Sequence, residues 1–122
     1  DWIQEKDENY IYENYNVPPG ILYTGIEIME WLCYSAAEIS KILKFGIYKK
    51  LKELEVRVKY GIKTELLELV GIKGIGRKRA RILYNNGFRN ADDLRKADIE
   101  TLAKILKSRK IAENIKKEVE II

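Results

Sequence analysis

Histidine is absent from the 122 residues, and cysteine occurs once, at Cys33. Without imidazole there is no His-based acid–base catalysis, and with one thiol there is neither a metal-ligand cluster nor a disulfide within the chain. A lone cysteine fits a reducing, intracellular setting. No apolar run is long enough to span a membrane. No signal peptide opens the chain, which begins at Asp1 instead of Met and so reads as a fragment of something longer. Only two prolines occur, side by side at Pro18 and Pro19. What remains is 46% hydrophobic content, which allows one good core or two small ones and excludes a disordered chain.

The formal net charge of +4 is unevenly spread. Residues 1–56 carry six lysines against ten acids, whereas residues 57–122 carry 17 bases against nine acids. Every arginine, from Arg57 to Arg109, lies in the second part. An asymmetry of this kind points to nucleic acid for the basic part. A bland alternative is a thermophile-like surface rich in Lys and Glu.

Residue type and spacing together specify chemistry at one place, Val70-Gly-Ile-Lys-Gly-Ile-Gly-Arg-Lys-Arg-Ala-Arg-Ile-Leu83. Thr64 is placed to cap a short helix with Leu66, Leu67, Leu69 and Val70 on its apolar side, and Ala80, Leu83 and Tyr84 give the following helix an inward face. Gly74 and Gly76 allow left-handed backbone angles and close approach of a phosphate to the main chain, with Ile75 between them as a plug for the core. The second helix starts at about Gly76 or Arg77, so its first N–H groups have no internal partners. Arg77, Lys78, Arg79 and Arg81 surround that start with positive charge, which a helix N-terminus disfavours unless an anion is bound there.

Two nucleotide readings of the glycines fail. In a P-loop, Lys and then Ser or Thr would stand where Arg77 and Lys78 are, and in a dinucleotide fingerprint a third glycine would stand at Arg79 after a β-strand. The pattern resembles instead the helix-hairpin-helix module, whose Gly-hydrophobic-Gly hairpin contacts nucleic-acid phosphates without reading sequence. The bland alternative is a helical hairpin that only packs.

Elsewhere the pattern is helical, and an all-α fold is expected. Trp2-Ile3 reads as a fragmentary helix end, followed by a polar, tyrosine-rich stretch to Asn16. Pro19 suits the first turn of a long helix reaching about Lys44, in which Leu22, Ile26, Met29, Cys33, Ala36 and Ser40 recur at helical spacing. Ile28, Trp31, Leu32 and Ile39 spread apolar character around it, which predicts burial on more than one side, as in a bundle. Ile47, Leu51, Leu54 and Val58 define a connecting helix capped by Gly61, with Glu53 and Arg57 spaced for an i,i+4 pair. Asn90, with Asp93 in the capping-box position, and Asp98 are placed to start two short helices. Thr101–Leu106 and Ile111–Ile115 repeat the helix-turn-helix plan around a shorter turn, Lys107-Ser-Arg-Lys110, without glycine. The first hairpin is expected to bind, and the second chiefly to pack, with Arg109 and Lys110 as additions. Ile111, Ile115, Val119 and Ile122 share one face of the last helix.

The order of features also resembles a larger family. Asp1-Trp-Ile3, Tyr15-Asn-Val-Pro-Pro-Gly20, Glu30-Trp-Leu-Cys-Tyr-Ser-Ala-Ala37, the block from Arg57 to Val70, and Gly74-Ile-Gly-Arg-Lys-Arg-Ala-Arg81 run as in the C-terminal part of archaeal superfamily 2 DNA helicases related to the helicase region of DNA polymerase theta. That resemblance implies a helical bundle segment over 1–56, the end of the domain carrying the ratchet helix, and a helix-hairpin-helix DNA-binding domain over 57–122. It implies a parent that moves 3′ to 5′ on DNA at replication forks and in repair, using ATP and Mg in motor domains of the same chain. The segment itself carries no motor motif, so catalysis, a cofactor or a metal is not expected within it.

By the same resemblance, Trp2 lies near the end of the ratchet helix, where a tryptophan stacks on a base of the translocating strand. From sequence alone, simple packing is as good a role for it. The hairpin, Lys73, Gly74, Ile75, Gly76, Arg77, Lys78, Arg79 and Arg81, would grip the departing single strand. Relatives often carry a basic residue where Gly71 stands, which shifts that share of the grip to Lys73. Trp31 and Tyr34 match the family's bundle core. The leading expectation is sequence-independent binding of single-stranded or forked DNA by a nucleoid-associated, intracellular protein with no membrane contact. The alternatives are a module that docks replication or repair proteins, and a DNA-binding module of a nuclease or ligase. A phosphate grip does not by itself distinguish DNA from RNA.

Overall fold

The computed structural model describes residues 1–121, and among these no strand occurs. The fold is all-α, as the periodicity predicts. The chain forms two compact units, Asp1–Thr64 and Glu65–Ile122. The expected boundary after residue 56 falls inside a helix that belongs wholly to the first unit. Ile122, placed by its spacing on the face of the last helix, lies outside the described residues.

In the first unit a 3-10 turn, Trp2–Gln4, precedes α1 (Glu8–Tyr15), α2 (Pro19–Ile42) and α3 (Tyr48–Tyr60). The tyrosine-rich stretch is therefore helical. Asp7 starts it by accepting the Tyr10 N–H at 2.8 Å, and Asn16 ends it in a left-handed conformation. Pro19 sits in the first turn of α2, where its missing N–H costs nothing. The turn from α2 to α3 is closed by Ser40, whose Oγ donates to the Phe45 carbonyl at 3.0 Å while the Phe45 N–H returns to the Ser40 carbonyl.

The core of this unit gathers Ile26, Cys33 and Val58, with Trp2, Ile3, Leu22 and Leu54 packed against it. One face of α2 meets α3, burying Ile26, Cys33, Ala37 and Ser40. The expected burial on more than one side does not occur among the described residues. Ile28, Met29, Trp31, Leu32, Tyr34 and Ile39 are exposed, Trp31 by 64%. Periodicity identifies an apolar face but does not supply the partner that covers it. The Glu53–Arg57 pair is also replaced, since Arg57 Nε donates to the Ile62 carbonyl at 3.0 Å and so fixes the chain just after α3.

The second unit contains α4 (Leu67–Val70), α5 (Arg77–Asn85), α6 (Ala91–Lys96), α7 (Ile99–Leu106) and α8 (Arg109–Ile121). Thr64 does not cap α4. It opens a 3-10 turn, Thr64–Leu66, that leads into it. Leu66, Leu69, Ala80, Leu83, Leu94, Leu102, Ala112, Ile115 and Val119 are buried. Asn90 caps α6 by accepting the Asp93 N–H at 2.8 Å. Asp93 reaches back one residue further than a capping box requires, to the Arg89 N–H. Asp98 precedes α7 without a side-chain cap. At the other end of α6, Lys116 Nζ donates to the carbonyls of Leu94, Arg95 and Ala97, and Arg95 Nε donates to the Val119 carbonyl at 2.7 Å. Each helix thus satisfies carbonyls at the C-terminal part of the other.

Three substitutions test this packing. Gly61 caps α3 with φ of 69°, and a Cβ there would lie 2.5 Å from Trp2 Cε2. Gly61→Ala is expected to cost the first unit roughly 2–4 kcal/mol, through strain and overpacking. Gly25→Ala, in α2 with nothing within 4 Å, should gain about 0.5–1 kcal/mol. Both tryptophans, Trp2 and Trp31, lie in this unit, so urea unfolding followed by tryptophan fluorescence reads both changes. In the second unit, Lys116→Met keeps the aliphatic stem but removes the ammonium donor from three carbonyls, of which that of Leu94 keeps the Ala97 N–H at 3.3 Å. It should lower stability by about 1–3 kcal/mol, measured by amide exchange at Leu94 and Leu102.

Candidate nucleic-acid interface

The hairpin between α4 and α5 is shaped by two buried isoleucines. Ile72 and Ile75 are each 3% exposed, and the residues between them, Lys73 and Gly74, are forced outward. The Ile72 N–H donates to the Leu69 carbonyl and the Ile75 N–H to the Ile72 carbonyl, both at 3.1 Å. Gly74 turns the chain with φ of 93°, an angle that L side chains rarely adopt. Of the two glycines that allow left-handed angles, Gly74 uses one and Gly76 does not. Gly76 has φ of −93° and ψ of −170°, an extended conformation open to any residue.

Gly76 is the N-cap of α5 and offers no side chain to cap the first turn. A Cβ at Gly76 would meet nothing within 4 Å. Neither space nor backbone angle therefore demands glycine there, and its one internal advantage is that glycine is a better N-cap than alanine. The space beside this helix start is open, and an anion there would suit the helix dipole.

The predicted cations come together around this turn but are not equivalent. Lys73 and Lys78 are exposed and make no hydrogen bond or ion pair with the described residues. Arg77, partly exposed, opens α5. Arg79 folds back, its Nη1 donating to the Gly74 carbonyl at 2.9 Å. Arg81 pairs with Glu65 at 2.7 Å and lies 5.4 Å from the centre of the Tyr84 ring. Arg89 approaches the same ring at 4.9 Å. Sequence reasoning missed Glu65, Tyr84 and Arg89 as neighbours of this cluster. The three-residue step from Arg81 to Tyr84 was a usable signal, whereas the approaches of Glu65 and Arg89 depend on the turns between the helices.

Trp2 lies in the other unit. Its Nε1 donates to the Val58 carbonyl at 2.8 Å, its ring covers Gly61, and Tyr23 meets it edge-on with centroids 6.3 Å apart. A hollow of about 420 Å³ beside it is lined largely by apolar groups, including Leu22, Ile26, Met29 and Val58. Among the described residues, no group of three or more Asp, Glu or Cys side chains is placed to hold a metal ion.

The second hairpin, between α7 and α8, has the same plan with different chemistry. Lys107 takes the left-handed position, with φ of 57°, and Ser108 Oγ accepts the Ile111 N–H at 3.3 Å. Arg109 is paired with Glu100 and with Glu113, and these hydrogen bonds, Glu100 first, hold its guanidinium still more firmly protonated. This helix start thus has a side-chain hydroxyl on one amide and its arginine paired with acids of its own unit. Lys110 is exposed beside it.

Comparison with known proteins agrees with both units. The family described as archaeal helicase, domain 4, matches residues 1–61, and the SAM-like helix-hairpin-helix tandem family matches residues 66–120. The chain is 44% identical over 107 residues to the ATP-dependent DNA helicase Hel308 of Thermococcus kodakarensis, covering 86% of this chain and 10% of that protein. It is 42% identical over 130 aligned positions to Hel308 of Pyrococcus horikoshii, covering 99% and 18%. With Hel308 of Methanococcus vannielii it shares 46% identity over 99 residues, covering 79% and 13%. The chain spans between 10% and 18% of the length of these three curated relatives. The domain 4 match takes in half of the chain and the tandem hairpin match takes in most of the rest, and this protein belongs to the archaeal helicase domain 4 family.

Proposed function

We propose that this chain is the DNA-holding C-terminal region of an ATP-dependent DNA helicase, and that its second unit grips single-stranded DNA by the phosphates without reading bases. The observation that carries this reading is Gly76. It is a glycine in an ordinary extended conformation, with open space where a side chain would be, at an uncapped helix start flanked by exposed Lys73 and Lys78. Backbone amides and lysines recognise phosphate and are indifferent to sequence. The names of the relatives support DNA as the polymer and a helicase as the parent. In that parent, ATP and Mg would be held by motor domains of the same chain, and 3′ to 5′ movement at forks would be driven there. The hairpin would restrain the strand leaving the motor. The packing of Trp2 against Gly61 and Val58 supports an anchoring role for its indole in this unit and leaves base stacking out of the proposed grip.

The test separates binding from folding. Gly76→Ala should lower the stability of the second unit by no more than about 1 kcal/mol, because its backbone and its space accept a methyl group and only the poorer N-cap opposes it. It should nevertheless weaken binding to fluorescein-labelled single-stranded DNA, and Gly76→Glu should weaken it at least about tenfold through like-charge repulsion. If three to five phosphates are neutralised, log affinity of the parent falls against log salt with a slope of roughly −2 to −3.5. Binding that ignores both changes would place the DNA contact elsewhere and favour the docking reading. Equal competition by RNA of the same sequence would show a grip blind to the sugar.

A further inference from the structure

We infer that Arg79 is a positioning residue that braces the hairpin, and that Lys73 and Lys78 supply the charge neutralised on the strand. The inference rests on the phosphate reading above and assigns separate tasks within the same cluster. Its basis is one peptide group. The peptide joining Gly74 to Ile75 has its N–H bonded to the Ile72 carbonyl at 3.1 Å and its C=O bonded to Arg79 Nη1 at 2.9 Å. It is held at both ends, immediately after the left-handed Gly74 and immediately before the peptide that carries the Gly76 N–H.

Fixing that plane fixes the direction of the amides at the start of α5. Without Arg79, the Gly74 carbonyl would turn to water and the turn would be held by the Ile75 side chain and one hydrogen bond. An amide that must be oriented on binding binds less tightly than one already aimed. The planar guanidinium suits this task, since its donors are fixed relative to one another, whereas a lysine ammonium is a mobile point charge. Lys73 and Lys78 are the opposite case. They are exposed, make no bond to the described residues and flank the open helix start, which is where a flexible cation can follow a phosphate.

Phosphate contact and bracing leave different signatures in a salt series. Each phosphate neutralised on a single strand contributes about 0.7 to the slope of log affinity against log salt. A brace contributes affinity without slope. The experiment uses the full 122-residue chain with fluorescein-labelled oligothymidine, and compares Arg79→Ala, Arg79→Lys, Lys73→Ala, Lys78→Ala and Gly76→Glu. Amide exchange is measured by NMR without DNA. Arg79→Ala and Arg79→Lys should each weaken binding about three- to tenfold at every salt concentration, with the slope unchanged. Exchange at Ile75 should rise several-fold while Leu83 and Leu102 stay protected, which separates a loosened turn from a loosened unit. Lys73→Ala and Lys78→Ala should each reduce the slope by about 0.7 and leave Ile75 exchange unchanged.

A slope reduced by about 0.7 in Arg79→Ala, with parental binding retained by Arg79→Lys, would make Arg79 a phosphate contact. That result overturns the brace and leaves the phosphate reading standing. Unchanged exchange at Ile75 in both Arg79 variants would also overturn the brace. Failure of the parent to bind, or parental binding by Gly76→Glu, would remove the phosphate reading and this inference with it.

Discussion

Burial of Ile72 and Ile75 is the constraint on which the candidate site depends. Two apolar anchors three residues apart, both drawn into one small core, leave the pair between them no place except the surface. The chain must then reverse within that pair, which a left-handed Gly74 permits. The same anchoring brings α5 in with its first amides exposed, so the hydrophobic effect aims hydrogen-bond donors that it does not itself contact. Chemistry at the turn is a by-product of packing beneath it.

The two hairpins of the second unit show how little must change to separate a helix start without a side-chain cap from one whose groups are paired within the fold. Both place a left-handed residue after one helix and start the next within a few residues. In the first, glycines leave the helix start bare and two lysines stand beside it without partners. In the second, Lys107 tolerates the left-handed angle, Ser108 engages an amide, and Glu100 and Glu113 neutralise Arg109. The second turn has its electrostatic needs met from within. The tandem family match covers both turns, and the difference between them lies in side chains.

Much of this was legible in the sequence because the signals are local. The hairpin, the long helix after Pro19 and the Gly61 cap follow from residue types a few positions apart. Three features were not legible. The tyrosine-rich stretch is helical because Asp7 caps it and Ile11 is buried, and neither weak propensity nor composition foretells that burial. The apolar surround of α2 suggested burial on several sides, yet the pattern cannot name a partner, and Trp31 is largely exposed. The arginines at the hairpin read as equals, although one bonds a carbonyl and another a carboxylate. Charge is visible in a sequence. What each charge is already committed to is visible only in the fold.

The single cysteine has a practical meaning for all such questions about the hairpin. Cys33 is 6% exposed in the core of the first unit, and burial, followed by the nearby Glu55, raises its thiol above the ordinary range. A shielded thiol that resists ionisation reacts slowly with maleimides and iodoacetamides. The natural sequence is in effect already a blank background for labelling. A cysteine introduced on the surface of the second unit can carry a fluorophore or spin label as the reactive thiol, with no need to repack the first unit by removing the native one.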